Sequence, residues 1–102
     1  MRVISRKALV RFWEIHPAAR GSLAEWHTRT RHARWQSFLE VKATFGRTDQ
    51  VRVRSGRSVA IFDIGGNKFR LIAAIHYNTG KVFVLRVLTH KEYDAEQWKE
   101  QL

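Results

Sequence analysis

Apolar residues recur at helical spacing in the first third of the chain and at strand spacing after about residue 41. Ala8, Leu9, Phe12 and Trp13 share one face, which predicts a helix over residues 6–15 with Ser5 as its cap. Val3 and Ile4, just before it, read as a very short strand. His16-Pro17 ends the helix, because proline disfavours helical backbone in the residue before it. Gly21-Ser22-Leu23-Ala24-Glu25 has the form of a capping box, with Ser22 as cap and Glu25 reaching back. It predicts a longer helix over residues 23–39. Its stripe is Leu23, Trp26, Thr30, Ala33 and Ser37, with Trp35, Phe38 and Leu39 close by. Arg29, Arg31, His32 and Arg34 mark its wet side.

Residues 41–45 read as extended. Residues 46–57 are polar and basic, a loop carrying a weak strand. Residues 58–64 form a strand, and Gly65-Gly66-Asn67 turns the chain. Residues 69–77 form the next strand, Asn78-Thr79-Gly80 turns again, and residues 81–89 form the last long strand. Residues 92–102 are either a short helix or a fraying tail, with Trp98 as the only large anchor. The expected fold is one α+β domain spanning residues 1–102. Two N-terminal helices pack on one face of an antiparallel sheet of three to five strands.

The second turn fixes which side chains meet. A two-residue loop would put β-branched Thr79 at positive φ, whereas a three-residue loop puts Gly80 there. The three-residue loop pairs Tyr77 with Lys81, hence Ile72 with Arg86, Arg70 with Leu88 and Lys68 with His90. Lys68, Arg70, Arg86 and His90 then share one sheet face, together with His76. Phe69, Leu71, Ala73, Ile75, Phe83, Leu85 and Val87 take the other face, as the core. Cations side by side cost stability unless an anion compensates, so the first face suits phosphate.

Charge supports that reading. The chain carries 19 Lys and Arg against 9 Asp and Glu, a formal net charge of +10. Such a surface attracts polyanions, nucleic acid foremost. A hydrophobic fraction of 44% is that of a globular protein. There is no cysteine, which excludes disulfides, thiol catalysis and cysteine-ligated zinc. Residues 1–7 hold no apolar signal core and no stretch is long enough to span a bilayer, so the expected location is cytoplasmic, with no membrane partner.

Metal ligation and serine-nucleophile chemistry find no support. His27 and His32 are five residues apart, off a common helix face, and no Gly-x-Ser-x-Gly elbow occurs. No metal or cofactor is expected. Gly65-Gly66-Asn67 lacks the spacing and following helix of a phosphate loop. RNA cleavage without metal fits the groups present. It needs a base for the ribose 2′-hydroxyl, an acid for the leaving 5′-oxygen, and cations for the added charge. Thr89-His90-Lys91-Glu92-Tyr93-Asp94 supplies His90 and Tyr93 as proton-transfer groups, with Lys68 or Lys91 as alternatives. Arg70 and Arg86 suit the charge role, because a guanidinium fork matches two phosphate oxygens. Neighbouring cations should lower the pKa values of His90 and Tyr93. The rival reading is a non-catalytic RNA- or DNA-binding module using the basic side of the second helix.

Several stretches resemble one family: Ser5-Arg6-Lys7-Ala8-Leu9, the His16-Pro17 helix end, Ala33-x-Trp35, the run from Phe62 through Gly65-Gly66-Asn67 to Arg70-Leu71, and Thr89 to Asp94. In this order they are similar to the HigB toxins of the wider RelE group of toxin–antitoxin endoribonucleases. The resemblance implies a microbial-ribonuclease-like fold and cleavage of mRNA, often on ribosomes, and metal-free attack by the 2′-hydroxyl would leave a 2′,3′-cyclic phosphate. It also implies a cognate helix-turn-helix antitoxin, and operator DNA bound only through the antitoxin complex. Carried over by position, Arg70 is the phosphate-binding arginine after the Gly-Gly-Asn turn. His90, Tyr93 and Lys91 belong to the last motif. Lys68, Arg86, Arg52 and Arg54 are added as RNA contacts from register and charge alone.

Overall fold

The computed structural model describes all 102 residues. The elements are β1 (Arg2–Ile4), α1 (Arg6–Ile15), a 3-10 turn (Pro17–Ala19), α2 (Arg20–His32), α3 (Phe38–Thr44), β2 (Thr48–Arg52), β3 (Ser58–Ile64), β4 (Phe69–His76), β5 (Lys81–Thr89), α4 (His90–Ala95) and α5 (Gln97–Gln101). The five strands form one sheet in the order β1-β5-β4-β3-β2. All pairs are antiparallel except β1 with β5, which is parallel, so the sheet is mixed and not purely antiparallel as expected.

The helical third departs from the predicted pair of helices. Pro17 sits at the first position of the 3-10 turn, where its fixed φ suits a helix start, and α2 continues from there at Arg20. Ser22 and Glu25 therefore lie inside α2 and form no cap. That helix ends at His32 and does not reach residue 39. Ala33 and Ser37 are extended, and α3 begins at Phe38. The carboxylate of Glu40 accepts from the Gln36 backbone N–H at 3.0 Å, bracing this second start. Residues 41–44, expected to be extended, thus belong to a helix, and Leu39 faces water.

Period-2 alternation along β3 makes it apolar on both faces. Ala60, Phe62 and Ile64 join Leu9, Leu23, Trp26, Trp35, Val41, Leu71 and Val82 in the main core beneath the helices. Val59 and Ile61 face the other way and meet Ile72, Val53 and Trp98 in a second core. That second face was expected to be a wet cationic surface. It is instead covered by the C-terminal segment, with Trp98 3% exposed against it.

The β4–β5 register holds at its important end and fails at the turn. Ile72 pairs with Arg86 and Arg70 with Leu88, as predicted, but His76, not Tyr77, pairs with Lys81. The loop is one residue longer than expected, and a β-bulge between Ile72 and Ala73 restores the offset. The bulge also overturns two core assignments. Val82 and Val84 face the helices, whereas Leu85 packs in the second core and Phe83 lies beside His76, their rings 4.9 Å apart.

Removing the Trp98 indole should expose most of the second core. Trp98→Ala is expected to cost about 3–5 kcal/mol of stability, measured by urea unfolding; a loss below about 1 kcal/mol would mean the C-terminal segment is not held by this residue.

Candidate active site

Three consecutive left-handed residues close the β3–β4 connection: Gly65 (φ 64°), Gly66 (φ 63°) and Asn67 (φ 82°). Glycine takes this conformation without a Cβ clash, and asparagine is among the few other residues that tolerate it. The turn presents Asn67 to Arg70. Arg70 Nη1 donates to the carbonyls of Asn67 (3.0 Å) and Phe69 (3.2 Å), and Nη2 donates to Asn67 Oδ1. Arg70 Nε lies 3.2 Å from Asp63 Oδ1, directly across the β3–β4 pair. Arg70 is 8% exposed, so its charge is stable there only because these partners replace water. Nη1 donates twice and Nη2 once, Nε faces the Asp63 carboxylate as an ion pair, and a second Nη2 N–H remains.

The Arg70 guanidinium carbon is 5.1 Å from the centroid of the Tyr93 ring. Tyr93 in turn stacks on Trp98, with centroids 5.4 Å apart and an interplanar angle of 13°. Trp98 Nε1 donates to the Tyr93 carbonyl at 3.0 Å. Burial pushes the Tyr93 phenol above its ordinary pKa, with Asp49 and Asp63 adding to the rise and Arg70 and Lys99 opposing it. The expected lowering by cations is overturned, because loss of water around the phenol outweighs the favourable charges. The phenol is therefore protonated at neutral pH.

Tyr93 lies on α4, whose start is a full capping box. Thr89 Oγ1 accepts from the Glu92 N–H at 3.2 Å, and Glu92 Oε1 accepts from the Thr89 N–H at 2.9 Å. The His90 N–H donates to the Lys68 carbonyl at 3.2 Å, extending the β4–β5 pairing by one step. The two side chains nevertheless leave the sheet: Lys68 is exposed in the turn and His90 opens the helix. Their predicted place on one strand face with Arg70 and Arg86 does not hold, since β4 begins at Phe69 and β5 ends at Thr89. The nearest charged group to His90 is Asp94, with Nδ1 2.7 Å from its Oδ2. His90 and Tyr93 are three apart on α4, neighbours on its surface.

Arg86 donates from Nη1 to the Leu85 carbonyl at 2.8 Å and lines a groove of about 450 Å³ with Leu88, Lys91, Glu92 and Trp98. Arg52 sits elsewhere, whereas Arg54 lies against α5, whose Trp98 lines this groove. Arg52 is exposed on edge strand β2, opposite Ser58 at the end of β3 remote from the Gly-Gly-Asn turn. Arg54 pairs with Glu100 at 3.3 Å, and its N–H donates to the Lys99 carbonyl. No three His, Asp or Glu side chains converge as a possible metal set. The residues missed by sequence reasoning are Asp63, Asn67 and Asp94 as partners of Arg70 and His90. The offset between Ile64 and Phe69 could have placed Asp63 opposite Arg70.

A family model for the HigB toxin, described as the RelE-like toxic component of a toxin–antitoxin system, matches residues 19–96. The chain belongs to this HigB toxin family. The match spans α2 through α4 and so includes Arg70, its turn and Tyr93. The mRNA interferase toxin HigB of Escherichia coli strain K12 is 29% identical over 94 residues, 92% of this chain and 88% of that protein. The mRNA interferases HigB of Escherichia coli O157:H7 and Shigella flexneri match to the same extent. No helix of this HigB family member is long and apolar enough to cross a membrane.

Two outcomes follow from the buried cluster. Asp63→Ala leaves the Arg70 charge without its carboxylate and should cost about 3 kcal/mol in chemical denaturation, as for other broken buried pairs. In an absorbance titration of the phenolates, the component lost in Tyr93→Phe should ionise above the ordinary tyrosine value of about 10. Ionisation below that value would mean that charge, and not burial, governs the phenol.

Proposed function

We propose that this toxin is a metal-independent mRNA endoribonuclease built on a RelE-like microbial ribonuclease fold, with residues 1–102 as its single domain. The contact of Arg70 with Tyr93 carries the reading. It joins a fixed guanidinium to a protonated phenol, and the phenol ring stacks on Trp98, which lines the groove of Arg86 and Lys91. The relatives named as mRNA interferases, aligned over 92% of the chain, support the substrate class.

The chemistry balances on side chains alone. The ribose 2′-oxygen attacks the adjacent phosphorus, the bond to the 5′-oxygen breaks, and a 2′,3′-cyclic phosphate and a 5′-hydroxyl result. His90 Nε2 takes the 2′-hydroxyl proton while Asp94 holds Nδ1 and steadies the imidazolium. Tyr93 gives its proton to the leaving 5′-oxygen, a role suited to a phenol kept protonated. The free Nη2 N–H of Arg70 meets the phosphate oxygens as charge grows on them, and Lys91, Arg86 and Lys68 add positive potential. Arg52 and Arg54 contact RNA only outside this cluster. The same reading gives the toxin a cognate helix-turn-helix antitoxin, ribosome-bound mRNA as substrate and operator DNA bound only through the antitoxin complex.

The test is cleavage of translated and untranslated transcripts by purified protein with ribosomes and EDTA, with end mapping. Cyclic-phosphate ends that persist in EDTA are expected. Tyr93→Phe and His90→Ala should each lower kcat by about 10²–10⁴-fold. Arg70→Lys should lower it by roughly 10²-fold with the fold retained. Intact RNA in the presence of folded protein would sink the ribonuclease reading.

A further inference from the structure

The end of the sheet away from Arg70 carries a second basic concavity. β4 runs from Phe69, beside the Gly-Gly-Asn turn, to His76, beside the Asn78–Gly80 loop, which is about 23 Å at roughly 3.3 Å per residue. At that far end lies an open groove of about 550 Å³, lined among others by Arg2, Arg31, Arg34, Gln36, Tyr77 and Asn78. Its arginines come from three places in the fold: β1, the last turn of α2, and the loop beyond α2. None of the three takes part in an ion pair, and no carboxylate lines the groove.

A cation in the last turn of α2 is explained by the helix dipole, which favours positive charge there. That accounts for Arg31. It does not account for Arg2, on a strand, or for Arg34, beyond the helix end. Gathering them without a counter-charge costs stability unless an anion binds. The remaining lining narrows the kind of anion. Gln36 and Asn78 offer amides and Tyr77 a hydroxyl, groups that bond to phosphate and sugar oxygens along a nucleic-acid backbone. The half-buried Tyr77 ring also offers a surface on which a base can stack. An acidic protein segment would meet the same charges. It would also need an apolar anchor site, and the groove's apolar lining (Met1, Ala33, Trp35 and Tyr77) is partly or wholly buried and already packed on the main core.

We infer that the Arg2–Arg31–Arg34 groove is a second RNA-backbone site, separate from the Arg70 cluster, that grips single-stranded phosphodiester while the cleft acts elsewhere on the chain. It enlarges the RNA footprint to both ends of the sheet. The probe is a 2′-O-methyl oligonucleotide, which cannot undergo attack by its own 2′-oxygen. Binding is thereby measured whether or not the protein is a ribonuclease.

Fluorescence anisotropy of the full chain at several salt concentrations compares three proteins: wild type, Arg31→Ala with Arg34→Ala, and Lys7→Ala with Arg11→Ala as a charge-matched control on α1. The groove variant should bind at least about tenfold more weakly, and its salt slope should fall by roughly 1.4, from about 0.7 per lost phosphate contact. The control should change less than about twofold. Arg2→Gln, at an exposed strand position, repeats the test should the double variant melt early. Ultraviolet crosslinking should attach the oligonucleotide to the peptide holding Tyr77. Equal losses in groove variant and control would reduce the effect to net charge and overturn the site, as would unchanged binding. Polyglutamate of equal charge competing as well as the oligonucleotide would reassign the groove to an acidic protein partner.

Discussion

A guanidinium removed from water must keep its partners, and Arg70 is held by four groups at one corner of the sheet. Asp63 reaches it across the β3–β4 pair, Asn67 from the turn by both carbonyl and side chain, and Phe69 through its own carbonyl. The left-handed Gly65-Gly66-Asn67 backbone is needed to present those oxygens. The Tyr93 ring in turn rests against the same cation. One ion pair therefore couples the hairpin geometry, the placement of α4 and the position of the Tyr93 ring. A charge so fully engaged is oriented in advance, which is what electrostatic stabilisation of a growing phosphate charge requires.

The chain places chemistry-bearing residues on the thinner of its two layers. The main core beneath α1, α2 and α3 contains thirteen buried residues, whereas the second core contains five. His90, Lys91, Tyr93 and Arg86 all belong to the thin side. Heavy packing fixes the sheet, and the lighter side leaves room for a polyanion to approach.

Strands 58–64, 69–76 and 81–89 were legible because their alternation and turn residues agree. The pairing of Ile72 with Arg86 and of Arg70 with Leu88 was legible too, though only because an extra loop residue and a bulge offset each other. The bulge itself was hidden. Residues 82–85 and 87–88 are all apolar, so no polar position marks where the alternation slips. The helix break after His32 was hidden for a similar reason: residues 33–36 contain neither glycine nor proline. Ser37-x-x-Glu40 is the signal that marks the new start, and Thr89-x-x-Glu92 is its counterpart before α4. For the site, charge and motif pointed to Arg70, His90, Lys91, Tyr93 and Arg86, which do gather towards one end of the structure. Arg52 does not, because basic composition alone carries no information about distance, and Arg54 is held to α5 by Glu100 and Lys99.

Trp98 has a consequence for how the protein fails under stress. Outside the sheet and its hairpins, the last two helices are short, with five or six residues each, and too brief to persist without tertiary support. Trp98 is the one buried side chain among them, with Tyr93 and Leu102 packed beside it on the second core. The segment from His90 onward is thus a unit able to melt by itself while the five strands and the layer beneath α2 stay folded. Mild heat would then produce a population with an intact sheet and a dissolved α4, which retains Arg70 in its turn but has lost the Tyr93 ring that rests against it.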